Sequence, residues 1–124
     1  MELAYSKGLV EAIDLHIVKH FSPVASKKIV REIQFTPTTA TQSVYTPSSG
    51  KALRIKFILI SSDTDVWLNF YWDTTWFMSV YAPGKGTVAM NLTDCNPQGP
   101  VGKTLNVQSS EEATVHMNIW GDEV

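Results

Sequence analysis

The chain has 124 residues, of which 44% are hydrophobic and 18% charged, and its net charge is −2 at neutral pH. This length favours one domain that forms a core without a disulfide or a metal, and the single cysteine, Cys95, excludes an intrachain disulfide. The negative net charge argues against a nucleic-acid binder held by counterion release. No apolar run approaches the ~20 residues that span a bilayer, and the first residues lack the pattern of a signal peptide.

The first 24 residues differ in pattern from the rest and are predicted to form an N-terminal arm. Four apolar side chains recur at helical spacing, namely Leu9, Ile13, Ile17 and Phe21. The run from Ile13 to Ile17 also alternates apolar and polar residues, as a strand does, so helix and strand both remain open. We expect the four apolar residues to form an interface, in which each large side chain that is fully buried contributes roughly 1.5–3 kcal/mol.

From Lys27 onward the chain is predicted to form about eight strands. The predicted strands span residues 28–35, 41–45, 52–60, 65–72, 75–81, 86–92, 101–107 and 113–120. Turn residues separate them at the ~8–12-residue spacing that is typical of sandwiches and barrels, and the absence of a helical pattern between them argues against a parallel sheet. The sequence therefore predicts an all-β, antiparallel, jelly-roll-like β-sandwich over residues 25–124. An immunoglobulin-like sandwich is the alternative.

The strongest predicted strand is 52–60. Its alternation places Leu53, Ile55, Phe57 and Leu59 on one face of the sheet, and the other face begins with Arg54 and Lys56.

An aromatic cluster lies in the next two predicted strands. Trp67, Tyr71, Trp72, Trp76 and Tyr81 fall within fifteen residues. If Trp72 faces the core together with the apolar residues at alternate positions before it, then Trp67 and Tyr71 point outwards. Exposed aromatic rings stack on sugars or anchor protein interfaces, and the alternative is that several of these rings simply fill the core. The candidate interface or glycan platform consists of Trp67, Tyr71, Trp72 and Trp76.

Motifs that would indicate catalysis or metal binding are incomplete. Residues 102–104 resemble the end of a phosphate-binding loop, but the required glycine five positions earlier is a proline. His16 and His20, four residues apart, leave a zinc site two ligands short. Asp63 and Asp65 flank a turn, whereas calcium requires six to eight oxygens. We therefore predict that the protein is not an enzyme and has no cofactor or metal.

The charges are distributed unevenly along the chain. Residues 1–56 hold eight Lys and Arg against four Asp and Glu, a net of +4, whereas residues 57–124 hold two against eight, a net of −6. A basic front half can dock on the acidic half of its own chain or on that of a neighbour.

Three segments give the chain a resemblance to a known class of proteins. They are the strand lead-in at 46–56, the Gly-Pro-Val-Gly-Lys-Thr-Leu-Asn-Val segment at 99–107 and the final Trp-Gly-Asp-Glu-Val at 120–124. In these segments, and across residues 40–124, the chain resembles small β-sandwich accessory and head-decoration proteins of tailed bacteriophage virions.

The resemblance implies a non-enzymatic structural role in a virus particle that is assembled after synthesis in the host cytoplasm. It implies self-association, most often as a trimer, and an N-terminal extension that contacts neighbouring subunits. We expect other virion proteins as further partners and, from the charge and hydropathy above, neither nucleic acid nor membrane. The alternative function is a carbohydrate-binding module that uses the exposed aromatic residues.

Overall fold

The computed structural model describes residues 27–36 and 40–124. The predicted arm, with Leu9, Ile13, Ile17 and Phe21, lies outside the described residues, and so does the predicted boundary between arm and domain.

The described chain forms eight strands. They are β1 (Lys27–Phe35), β2 (Gln42–Tyr45), β3 (Leu53–Ser62), β4 (Val66–Trp72), β5 (Thr75–Ala82), β6 (Gly86–Asn91), β7 (Leu105–Ser109) and β8 (Ala113–Glu123). They build two four-stranded sheets, with the order β1-β8-β3-β6 in the first and β2-β7-β4-β5 in the second. Every pairing between these strands is antiparallel. The prediction of an all-β antiparallel sandwich of about eight strands is therefore confirmed.

The pairings are nested. The first strand pairs with the eighth, the second with the seventh, the third with the sixth and the fourth with the fifth. Successive nested pairs alternate between the two sheets. The β3–β8 pairing joins the two strand pairs of the first sheet, and the β4–β7 pairing joins those of the second. The chain is thus one long antiparallel hairpin that is folded across two layers.

One predicted strand begins later than the sequence indicates. The prediction placed its start at Val101, but β7 begins at Leu105, and Val101 is 62% exposed in the preceding loop. In that loop the backbone N–H of Gly99 donates to the carbonyl of Leu53 at 3.0 Å, and that of Gly102 donates to the carbonyl of Lys51 at 2.8 Å. The loop therefore runs along the start of β3 before it enters the second sheet.

A β-bulge in β3 overturns the predicted faces of that strand. Ile55 pairs with Gly121 and Phe57 pairs with Trp120, so the register shifts at Lys56, which is the extra residue of the bulge. An extra residue reverses the alternation beyond it. Ile58 and Ile60 therefore face the core and are fully buried, while Phe57 and Leu59, predicted to share a face with Leu53 and Ile55, turn outwards and are half-buried.

The core lies between the two sheets and is apolar. Its largest fully buried side chains are Phe70, Leu53, Ile55, Ile58, Ile60, Leu68, Leu105, Met117, Ile119, Val44, Val66 and Val107. They come from both sheets, and burial of each contributes roughly 1.5–3 kcal/mol. The apolar core accounts for a stable domain of this size.

Gly121 allows β8 to approach β3 next to the bulge. A Cβ atom on residue 121 would lie 2.6 Å from the carbonyl oxygen of Arg54, a backbone atom. The side chain of Arg54 lies 3.8 Å from the buried carboxylate of Asp122, and the Lys56 Nζ lies 2.8 Å from it. The close contact and the ion pairs together hold the bulged segment.

Replacement of Gly121 by alanine tests this close approach. We expect Gly121→Ala to lower the free energy of unfolding by about 1–3 kcal/mol, because the added methyl group pushes two paired strands apart. Urea denaturation measures the change. Gly86→Ala is the control, since its added Cβ would have the side-chain Cγ of Pro83 as its nearest neighbour, at 3.2 Å, and would meet backbone only at an ordinary contact distance of 3.6 Å. Equal effects of the two substitutions would contradict the role given to Gly121.

Glu123 ties the end of β8 to the second sheet. Its carboxylate accepts hydrogen bonds from the Tyr45 hydroxyl at 2.6 Å, the Ser48 backbone N–H at 2.9 Å and the Ser48 hydroxyl at 3.0 Å. The Tyr45 hydrogen bond, followed by those from Ser48, lowers the pKa of Glu123 to about 2. Burial, followed by the bond to Glu123, raises the pKa of Tyr45 to about 12. Both shifts favour the bonded pair near neutral pH.

Stability is expected to depend on pH through Glu123. Its pKa falls from an ordinary 4.5 to about 2 on folding, so its contribution is fully present above pH 4.5 and is lost as pH falls towards 2. We expect Glu123→Gln to be less stable than the wild type at neutral pH, and the difference to shrink over that range. Urea unfolding at a series of pH values measures it, with Glu111→Gln in the exposed β7–β8 turn as the control. A difference that is constant with pH would refute the assignment.

Candidate functional site

The outer face of the second sheet carries an uncharged cluster of aromatic and polar side chains. The register of β4 on β5 pairs Trp67 with Tyr81, Asn69 with Ser79, and Tyr71 with Trp76. Asn69 also pairs with Gln108 on β7. The aromatic face is defined by Trp67, Asn69, Tyr71, Trp76, Ser79, Tyr81 and Gln108. None of these side chains is charged at neutral pH.

A second β-bulge brings Trp76 to this face. Phe70 pairs with Met78 and Tyr71 pairs with Trp76, so Phe77 is the extra residue in β5. Phe77 packs against the core and stacks on Trp72, with ring centroids 4.4 Å apart and an interplanar angle of 10°. Because the bulge turns Phe77 inwards, the side chain before it points outwards, and Trp76 is 58% exposed.

Two of the exposed rings form a pair at one end of the aromatic face. The ring centroids of Trp67 and Tyr81 are 5.3 Å apart, and the ring planes are inclined at 58°. Trp67 is 53% exposed and Tyr81 is 45% exposed. Rings in this arrangement support each other and leave much of their surface available to a partner.

Hydrogen bonds orient the middle of the face. The Trp76 indole Nε1–H donates to the Ser79 hydroxyl at 2.9 Å, and that hydroxyl donates to the Asn69 Oδ1 at 2.6 Å. The Tyr71 hydroxyl donates to the Gln108 Oε1 at 3.2 Å. Hydrogen bonds therefore hold Trp76 and Tyr71 in place, which lowers the conformational entropy that these two side chains lose when a partner binds.

Trp72 belongs to the core and not to the aromatic face. It is 7% exposed, and a Cβ atom on Gly99 would lie 2.6 Å from its ring, so the loop before β7 covers it. Of the four residues predicted as a platform, the structure brings Trp67, Tyr71 and Trp76 together and places Trp72 on the inner face.

Sequence reasoning missed the polar half of the aromatic face. The outward position of Asn69 could have been predicted from the sequence, because Asn69 lies in the same alternation that places Trp67 and Tyr71 outwards. Ser79 and Gln108 join the face only through the pairing registers of β5 and β7 on β4, which a single strand does not encode.

The two aspartates that were considered for calcium binding, Asp63 and Asp65, have structural roles. The Asp63 Oδ1 accepts from the Thr114 backbone N–H at 2.9 Å, and the Asp65 carboxylate accepts from the backbone N–H of Gly84. Each aspartate thus joins its turn to a neighbouring segment. Within residues 27–36 and 40–124, no three His, Cys, Asp or Glu side chains gather as a metal site.

Comparison with known proteins does not assign the chain to a family. A scan against protein-family models finds no match, and a search of curated proteins finds none. In the part of the chain that the structure describes, no helix is long and apolar enough to cross a membrane.

Two tryptophan substitutions distinguish the aromatic face from the core. We expect Trp72→Ala to cost about 3–5 kcal/mol of unfolding free energy because it leaves a cavity. Trp76→Ala should cost less than about 1 kcal/mol, since it removes an exposed ring and one hydrogen bond. Chemical denaturation of both variants under identical conditions measures the difference. Similar losses would show that Trp76 is a structural residue.

Proposed function

We propose that the protein is a non-catalytic structural component of a virus particle, a capsid-decoration or other head or tail accessory protein. It acts through self-association and contacts with other virion proteins. The aromatic face is the observation that carries this proposal, because three large aromatic residues, Trp67, Trp76 and Tyr81, lie exposed together without a charge among them. Interface cores are enriched in Tyr and Trp and depleted of charged residues.

The strand order supports the proposal at the level of fold. We infer that the nested pairs, with strand orders β1-β8-β3-β6 and β2-β7-β4-β5, form a jelly roll of eight strands. Jelly rolls occur in viral capsid domains, in lectins and in cupins. A fold alone does not define a function. The strand order is compatible with each of these three classes, and the aromatic face is the reason to favour a structural protein of a virus particle.

The shape and chemistry of the aromatic face suit a protein partner. A sheet is a rigid, broad platform, and hot spots of protein interfaces are enriched in Trp and Tyr near the centre of the contact. The face has no Lys or Arg with which to bind phosphate groups. The most direct partner is a second copy of the chain, and the resemblance to phage decoration proteins implies a trimer within the virion.

A carbohydrate-binding module is the second candidate, and the hydrogen-bonded side chains favour it. Sugars present an apolar ring face and several hydroxyl groups. Trp67 and Tyr81 offer aromatic surface for stacking, and the amides of Asn69 and Gln108 offer donors and acceptors beside it. Both candidate functions use the aromatic face, so an experiment distinguishes them by what binds there, a protein or a carbohydrate.

Self-association is expected to depend on the aromatic pair. We expect the full-length wild type to form an oligomer in analytical ultracentrifugation. Trp67→Ala should raise its dissociation constant at least about 30-fold, because truncation of a hot-spot aromatic residue costs at least about 2 kcal/mol. Val101→Ala, an exposed apolar residue in a loop off this face, is the matched control.

A wild-type protein that stays monomeric at high concentration would contradict the self-association proposal. Tryptophan fluorescence titrated with a panel of oligosaccharides then tests the second candidate. A saturable change that Trp67→Ala abolishes would assign the face to glycan binding, and no change would exclude that assignment.

A further inference from the structure

The outer face of the first sheet carries a second apolar surface, opposite the aromatic face. Its members are Val30, Phe57, Leu59, Ala89 and Trp120, named here the apolar strip. Phe57 and Trp120 are paired across β3 and β8, with ring centroids 5.4 Å apart at 74°. Leu59 lies two residues along β3 and pairs with Ala89 on β6. Val30, on β1, is 57% exposed.

The bulge at Lys56 decides which side chains of β3 form the apolar strip. Without the extra residue, Phe57 and Leu59 would face the core, and Ile58 and Ile60 would face outwards. The bulge instead turns two large apolar side chains out of the core, where they are only half-buried. In the register Asn118 lies between Val30 and Leu59, and the Lys28 Nζ lies 5.4 Å from the centroid of the Trp120 ring, so polar side chains border the apolar ones. Exposed apolar surface that polar residues border marks a contact site.

We propose that the apolar strip is the docking surface for the N-terminal segment of the same chain, residues 9–21. The segment supplies Leu9, Ile13, Ile17 and Phe21 as the apolar side that covers the strip. This inference does not depend on the proposed viral function, because it concerns contacts within one chain.

The connection between segment and sheet favours the same chain as the source. The chain enters β1 at Lys27, which pairs with Gly121, the neighbour of Trp120 on β8. Residues 22–26 span at most about 17 Å when extended. Trp120 lies one strand from β1 and Phe57 lies two strands away, or about 5 and 10 Å. Phe21 can therefore reach either ring, and the short tether gives an effective concentration in the millimolar range.

The dimensions of the segment also fit. At helical spacing, residues 9–21 extend about 20 Å, and four strands of a sheet extend about 14 Å from the first to the last. A connection of five residues is a common length between a helix and the strand that follows it. To reach the aromatic face instead, the segment would have to pass around the edge of the sandwich, whose sheets are about 10 Å apart.

Charge does not drive this contact, because the positive charge of the basic front half lies outside the N-terminal segment. Residues 1–24 hold two Lys against three Asp and Glu, a net of −1. Residues 25–56 hold six Lys and Arg against one Glu, a net of +5, so the positive charge of the front half belongs to that part of the chain. Added salt is therefore expected to leave the docked segment in place.

Limited proteolysis of the full-length protein tests the docking. Within residues 1–24 trypsin can cleave only after Lys7 and Lys19, and the docked segment protects Lys19. We expect Val30→Asn combined with Leu59→Asn to speed cleavage after Lys19 at least about tenfold, because cleavage follows the population of the undocked form. Tyr81→Asn, an equivalent change on the aromatic face, should leave the rate unchanged.

A second variant keeps the test decisive if the strip variant, Val30→Asn combined with Leu59→Asn, fails to fold. Ile13→Asn combined with Ile17→Asn alters only the segment, and it should expose Lys19 to the same degree while the melting temperature of the sandwich stays that of the wild type. The protection is expected to be constant over an about 100-fold dilution, as docking within one chain requires.

Three outcomes would overturn the proposal. The first is rapid cleavage after Lys19 in the wild type. The second is release of the segment by Tyr81→Asn and not by the strip variant, which would assign it to the aromatic face. The third is loss of protection on dilution, which would assign the segment to a neighbouring copy.

Discussion

Two β-bulges, one in β3 and one in β5, determine which side chains lie on the outer faces of the sandwich. A strand alternates its faces with a period of two, and one extra residue reverses the alternation beyond it. Lys56 in β3 and Phe77 in β5 are the extra residues. The first turns Phe57 and Leu59 outwards on one sheet, and the second turns Trp76 outwards on the other. Both outer faces of the sandwich depend on these two insertions.

The sequence predicted the class of fold because its strands are marked by local signals. Turn residues delimit the strands, and unbroken alternation in β4 correctly places Trp67 outwards and Trp72 inwards. The prediction of which β3 side chains face the core was wrong beyond Lys56, because the bulge there depends on contacts with the neighbouring strand. Gly121 permits the close approach of β8, and Asp122 binds the Lys56 side chain. Neither partner is near Lys56 in sequence, so no local pattern could indicate the bulge.

The two outer faces differ in a way that separates their proposed roles. The apolar strip consists of carbon-rich side chains close to the point where the N-terminal segment joins β1, which suits a permanent contact within the chain. The aromatic face adds amide and hydroxyl groups to its rings, as surfaces that bind a separate partner commonly do. With the N-terminal segment docked as we propose, the aromatic face is the outer face that stays open to a partner.

We propose that the aromatic face is covered when the protein functions. Hydroxyl-radical footprinting of the full-length protein across its association range tests it directly, since Trp67, Trp76 and Tyr81 are each about half-exposed in the single chain. Oxidation of these three residues is expected to slow as the protein assembles, while that of the exposed loop residue Val101 does not change. Equal oxidation of the three residues in the dilute and the concentrated protein would contradict it.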